Sequence, residues 1–351
     1  MKLTNKYNLP AAYVFAVDMD QHQRMSDLSA SRAMNPTQIT ILQERHGDEL
    51  IQDVSELSWA LLGKAGHKVL EQGARIASGA IYLSIGGHEH KISVGLAKEL
   101  LACEAAGTMG EIIVKQLEES IAKGPVIQTW SEEPLAMLIT EDRIVPISID
   151  RAKDLIAGPH EGTVFAGIID HTADGVIIDW KFTSVWTWIY KSRIDDYRKQ
   201  LSLYCLLAKV NGIEINKAQI IMVLRDWSKN NALKHDYPDH DVQTLPISLW
   251  DLDKTEEWLR NRIVLLEAER QKSDSELTPC SEAERWASPE KWAVYKNPKA
   301  KRALRVLDTE EEAKAYTTGG IIKHRPGANR RCEDYCPCSV VCHQYQELQK
   351  E

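Results

Sequence analysis

No apolar run in this 351-residue sequence is long enough to cross a membrane or to act as a secretory leader. The one early candidate, LPAAYVFAV, is short, carries Pro10 and runs into Asp18 and Asp20. No membrane partner is expected, and the chain reads as a cytoplasmic protein. An excess of positive charge is missing too: 43 Lys and Arg against 51 Asp and Glu leave a net charge of −8. That excludes a uniformly basic coat while leaving room for a local basic groove. Internal repeats and low-complexity linkers are absent. Cysteines are few, seven in all, yet four of them fall between Cys332 and Cys342. In a reducing compartment such clustering points to metal or cluster binding rather than disulfides.

What is present is enough for a sizeable core, in one large domain or two smaller ones. Residues 35–72 are largely helical by the three-and-four recurrence of their apolar positions, with Gly63, His67 and Glu71 on one face. Residues 77–95 predict a hairpin turning at Gly86-Gly87, on which His88 and His90 read as exposed polar residues. Helix follows over 96–124, then strands at 135–139, 143–148, 163–170 and 175–181, the last two joined through the turn signal Asp174-Gly175. A helix over 195–210, a strand in AQIIMVLRDW and a helix over 251–272 complete the pattern.

The stretch IIDWK, 177–181, sets two opposite charges on one face of an apolar strand, because Ile177, Asp179 and Lys181 alternate. The hairpin brings Asp170 toward Asp179. Two carboxylates about 4 Å apart repel by roughly 4 kcal/mol at an effective dielectric of 20. A shared proton, a salt bridge at a strand end or a hard divalent cation such as magnesium or manganese would each offset that repulsion. With a cation, Lys181 is placed to polarise water or stabilise charge on a phosphate. His67 offers a nitrogen ligand from its helix, behind Gly63, where a small residue admits a neighbouring backbone. Gln200 and Tyr204, four apart, offer an amide and a phenol from one helix face.

Taken in order, GKAGHKVLE, GIID, DWK and QLSLY resemble the GxxxHxxLE, GxxD, DxK and QxxxY motifs of the PD-(D/E)XK nuclease superfamily, specifically its RecB-like exonuclease branch of bacteria and phages. The resemblance runs from Gly63 to Tyr204 and departs from the family name in lacking a proline before Asp170. It implies an α/β, restriction-endonuclease-like core with a mixed central sheet flanked by helices. It implies that His67, Asp170 and Asp179 ligate Mg2+ or Mn2+, that Lys181 is the catalytic lysine, and that Gln200 and Tyr204 shape the DNA-binding side. Residues 1–272 would form that core, with an N-terminal helical segment and an insertion at about 75–160, and residues 273–351 a basic, cysteine-rich region.

Several relatives of this branch hold a 4Fe-4S cluster, and the resemblance assigns one here to Cys280, Cys332, Cys336 and Cys342, spaced C-x51-C-x3-C-x5-C. Relatives usually place the first of these cysteines before the nuclease core. Cys338 is an alternative ligand, since C-x3-C-x-C-x3-C is a local four-thiolate set able to hold a cluster or structural zinc. Cys103 and Cys205 read as helix core residues. DNA contacts are expected from Lys299, Lys301 and Arg302, part of an acid-free run from Lys291 to Arg305 with Trp292 and Tyr295 interleaved. Trp186, with Trp188 and Tyr190, suits stacking on unpaired bases or packing at a rim. Arg225 suits a phosphate or an ion pair with Asp226. The function implied is a metal-dependent DNA exonuclease of recombination, repair or replication, partnered by a recombinase, single-strand-binding protein or helicase. A structure-specific endonuclease and a non-catalytic DNA-binding adaptor are the alternatives.

Overall fold

A computed structural model of the protein describes residues 2–18, 25–77, 81–85, 88–92, 129–130, 134–173, 175–317 and 319–350. The helix expected over 96–124 and the turns at Gly86-Gly87 and Asp174 lie outside the described residues. The paired strands Ile81–Ile85 and His88–Ile92 lie on either side of the first turn. Among the described residues no helix is long and apolar enough to cross a membrane. The chain divides into two compact units, one of residues 7–34 and 55–262, the other of residues 1–6, 35–54 and 263–351.

The first unit is organised by alternating sequence. KAQIIMVL forms the strand Lys217–Leu224 and buries Ala218, Ile220, Met222 and Leu224 on one side. It runs parallel to Val176–Thr183 and antiparallel to Val242–Ile247. His171–Ala173 and Thr129–Trp130 complete this five-stranded mixed sheet beyond Val176–Thr183. A second sheet of four orders Leu28–Ser29, Thr163–Ile168, Pro134–Ile139 and Ile144–Ile147. The helix Ile194–Val210 connects the two parallel strands, as parallel pairing requires a crossover. It touches strands of both sheets and buries Tyr197, Leu201, Leu203, Leu206 and Leu207. At about 1.5–3 kcal/mol for each fully buried large apolar side chain, this helix is a principal anchor of the unit.

Two expected elements are broken, each with a consequence for the site. The strand read over 163–170 ends at Ile168, and the chain re-forms as His171–Ala173 in the other sheet. Asp170 therefore sits at the step between sheets rather than inside a strand. The helical stretch read over 35–72 is two helices, Thr37–His46 and Ser58–Ala77, separated by the short strand Ile51–Asp53. Buried Asp53 fixes that break by accepting hydrogen bonds from Thr4 Oγ1 and the Lys6 amide, both at 2.9 Å.

The second unit joins residues 35–54 to the C-terminal segment. Lys2–Thr4 pairs in parallel with Ile51–Asp53. A three-stranded antiparallel sheet orders Arg305–Leu307, Lys291–Tyr295 and Ile321–Arg325, with the capping-box helix Glu310–Tyr316 packed on it. The cysteine-bearing tail follows through the short helices Arg330–Asp334 and His343–Leu348.

Candidate active site

The step at Asp170 positions the first carboxylate. His171 pairs with Ile178, so continuing the antiparallel register by one residue sets Asp170 opposite Asp179. The Trp180 amide donates to Asp170 Oδ2 at 3.0 Å. From the other side, His67 Nδ1 of the helix Ser58–Ala77 lies 3.1 Å from the same oxygen. That contact is the main reason the imidazole is held above its ordinary pKa, against the opposing effect of burial.

The helix approaches closely because Gly66 carries no side chain. A Cβ there would lie 2.1 Å from Phe182 Cζ, whereas one at Gly63 would meet nothing within 4 Å. Close packing therefore belongs to Gly66 and not to Gly63, where the sequence reading placed it. The Phe182 ring, centred 6.0 Å from the His67 ring, fills the space opened by the glycine.

Asp179 is the most secluded of these groups, at 2 % exposure. Burial pushes its carboxyl up to about 6, with the nearby Asp170 charge adding to the effect and Lys181 opposing it. Lys181 Nζ lies 2.6 Å from Asp179 Oδ2 and pairs with that buried oxygen. Burial disfavours the Lys181 ammonium, yet the two carboxylates outweigh it and hold its pKa above the usual lysine value.

Tyr204 and Gln200 face the same cluster from the helix Ile194–Val210. Gly167 makes room for the Tyr204 ring, since a Cβ there would lie 2.9 Å from it. Burial raises the phenol well above the usual tyrosine range, the Asp179 charge adds to this, and a hydrogen bond with Gln200 opposes it. An open cleft continues from Lys181 between Thr183, Arg193, Tyr197 and Gln200. Arg193 and Tyr197 were not singled out from sequence, although they continue the three-and-four spacing that leads to Gln200 and Tyr204. Lys181 Nζ lies 6.0 Å from the centre of the Tyr197 ring.

The structure thus brings together His67, Asp170, Asp179, Lys181, Gln200 and Tyr204. A nitrogen and two carboxylates suit a hard divalent cation. As they stand, the donors are paired with one another and with Lys181, and among the described residues no three His, Cys, Asp or Glu side chains are placed to hold a metal ion. Binding an ion would require Lys181 and His67 to exchange partners.

Other expected contacts lie elsewhere. Trp186, Trp188 and Tyr190 are on a short helix, Val185–Tyr190, just after the strand Val176–Thr183. Arg225 is exposed, its guanidinium 4.2 Å from the centre of the Trp59 ring, while Asp226 accepts from the Val185 amide at 2.6 Å. Lys299, Lys301 and Arg302 lie exposed in the second unit, between the strands Lys291–Tyr295 and Arg305–Leu307. Lys291 of the same run is tied to Asp308, and Arg305 covers the Tyr316 ring.

In the second unit Cys280, Cys332, Cys336, Cys338 and Cys342 line one pocket, together with Arg285 and Arg331. Cys280 is fixed by its backbone: its amide donates to Gln344 Oε1 at 2.9 Å, and its carbonyl accepts from Gln344 Nε2 at 2.8 Å. Burial pushes its thiol up to about 12. Cys336 is brought down to about 7, chiefly by a hydrogen bond from Cys338, and the Cys338 thiol is raised accordingly. Cys338, fully buried, also lies 3.8 Å from the Ile39 carbonyl oxygen.

Residues 43–343 match the family model of the PD-(D/E)XK nuclease superfamily. No curated protein matches the chain in sequence.

Proposed function

The chain belongs to the PD-(D/E)XK nuclease superfamily, and from that premise we propose that it is a RecB-like exonuclease, hydrolysing DNA phosphodiesters with a divalent metal in recombination, repair or replication. The observation that carries this reading is the gathering of three further charged or basic groups around the buried Asp179 carboxylate: Lys181 at 2.6 Å from Oδ2, Asp170 opposite it in register, and His67 at 3.1 Å from Asp170. A structural salt bridge at a strand end has no use for a second carboxylate and an imidazole beside it, because a buried charge is costly even when paired.

His67, Asp170 and Asp179 would hold Mg2+ or Mn2+. When bound, such an ion supplies a Lewis acid for the phosphoryl oxygen and lowers the pKa of water. The chain's own groups do the rest. Lys181 keeps its proton on Nζ and presents it toward the cleft, where it orients water or stabilises charge on the phosphate. Hydrolysis forms a bond from water oxygen to phosphorus and breaks a phosphorus–ester bond, the leaving oxygen taking up a proton. Gln200 and Tyr204 position the strand, the phenol remaining neutral and able to donate.

The five thiols around one pocket support a 4Fe-4S cluster in the second unit, held by Cys280, Cys332, Cys336 and Cys342. Structural zinc held by four of these thiols is the alternative occupant of the same pocket. Arg285 and Arg331 beside the pocket would offset the negative charge of a thiolate-bound cluster.

The test follows end-labelled linear DNA and closed circles with Mg2+ or Mn2+. Linear DNA should be degraded and circles spared. Asp179→Ala should abolish cleavage, and Lys181→Ala should lower the rate by about a hundredfold or more with the protein still folded. Cleavage of closed circles would favour the endonuclease. Binding without cleavage of any substrate would favour the adaptor.

A further inference from the structure

Among the exposed aromatic side chains of the first unit are Trp59 at 62 % exposure, Trp186 at 55 % and Tyr190 at 70 %. Hydrogen bonds gather them at one end of the parallel strands. Arg225, at the end of Lys217–Leu224, donates its amide to the Thr183 carbonyl at 3.0 Å and lays its guanidinium 4.2 Å from the centre of the Trp59 ring. Asp226 holds the start of the helix Val185–Tyr190 through the Val185 amide, and Thr183 Oγ1 donates to Thr187 Oγ1 at 2.9 Å. Thr183 also lines the cleft that contains Lys181. The aromatic surface thus begins where the cleft ends.

On the short helix, Trp186 and Tyr190 are one turn apart and already stacked, with ring centres 5.8 Å apart and planes within 16° of parallel. Paired in this way, both side chains still remain more than half exposed. Trp188 is different, since the Lys191 ammonium lies 3.1 Å from the centre of its ring. Of the nearby acids, Asp195 is matched by Arg198 and Asp196 by Arg193, while Asp226 accepts from the Val185 amide.

We infer that the Trp186–Tyr190 stack, with Arg225 over Trp59 beside it, is a platform for unpaired bases, and that the strand delivered to the Lys181 cleft is single-stranded DNA. The physical reason is that a π face extends an existing stack, and a base offers its face only when it is not enclosed in a duplex. Arg225 supplies a cation for the accompanying phosphates, which matters in a chain whose net charge is −8. The choice of substrate rests on the nuclease reading above. The platform itself can be tested without cleavage.

The probes are a short oligothymidylate and an abasic chain of the same length, which has the same phosphates but no bases. Affinities are measured by fluorescence anisotropy, with calcium in place of magnesium. The wild-type protein should prefer the oligothymidylate to both the abasic chain and a blunt duplex. Changing Trp186→Ala together with Tyr190→Ala should cut oligothymidylate affinity by roughly tenfold or more and leave abasic binding little altered. Trp186→Phe, which keeps a ring, should restore most of the loss. Equal wild-type affinity for the two strands, or a doubly substituted protein that keeps the preference, would overturn the platform. Ring-dependent binding with no cleavage of any DNA would instead sink the nuclease reading and leave the platform standing.

Discussion

At the scale of single residues, the site depends as much on what is missing as on what is present. Gly66 and Gly63 look alike in sequence, both small and both ahead of His67 on its helix, one directly before it and one a turn earlier. Only Gly66 faces the Phe182 ring, and only there would a Cβ collide. Gly66→Ala is therefore expected to destabilise the protein by about 1–3 kcal/mol, as overpacking does, and to lower activity by displacing the ring beside His67. Gly63→Ala, in open space on the same helix, should be neutral or stabilising by up to about 1 kcal/mol. Urea midpoints of the two variants decide the matter, and the reverse order would show that the helix packs by another face. The charged residues of the cluster were legible because each has a chemical identity and a strand or helix spacing. The glycine's role was not legible, since a residue without a side chain reveals its purpose only through the neighbour that occupies its space.

Among elements, the break between Ile168 and His171 matters most, because it turns the chain from one sheet into the other and leaves Asp170 opposite Asp179. Alternation alone reads straight through that step. In the second unit, the end of the helix Thr37–His46 is fastened by a charged knot. Asp274 lies 2.5 Å from Arg45 Nη1 and 2.6 Å from His46 Nε2. The Arg45 hydrogen bond is the main reason the Asp274 carboxyl is held below its usual pKa, and Asp274 in turn raises His46. The lowered carboxyl contributes stability that is present above the ordinary aspartate pKa and lost as pH falls through its folded value. The raised imidazole contributes stability that is present below the ordinary histidine pKa and lost as pH rises through its folded value. Asp274→Ala should therefore cost most in the mildly acidic window between the two and less at alkaline pH, where only Arg45 still draws on the carboxylate. Urea unfolding of both proteins across that range checks the sign. An unchanged difference at mildly acidic and alkaline pH would remove His46 from the knot.

On the scale of the whole molecule, the second unit is assembled from both ends of the sequence, residues 35–54 and 263–351 together with the first six. Gln38, Ile39 and Leu42 of the helix Thr37–His46 form part of the wall of the five-cysteine pocket. The protein purified without oxygen should be brown. Cys280→Ser should lose the colour and the matching iron and sulfide, whereas Cys338→Ser should keep them, because Cys338 is turned toward the Ile39 carbonyl. A colourless wild-type preparation containing stoichiometric zinc would reject the cluster, and loss of iron from Cys338→Ser alone would exchange the two ligands. The sequence by itself determined the family, through four short motifs in order, and much of the local order of strands and helices around them. Those depend on side-chain chemistry and on periods of two and 3.6 residues, which neighbouring residues express without help from distant ones. Only the tertiary structure decided that Asp170 stands at a step between sheets, that Gly66 rather than Gly63 admits a ring, that Trp186 and Tyr190 form one stack, and that an early helix helps to line the cysteine pocket. Each of these depends on contact between residues far apart in the chain, and such contacts leave no local period to be read.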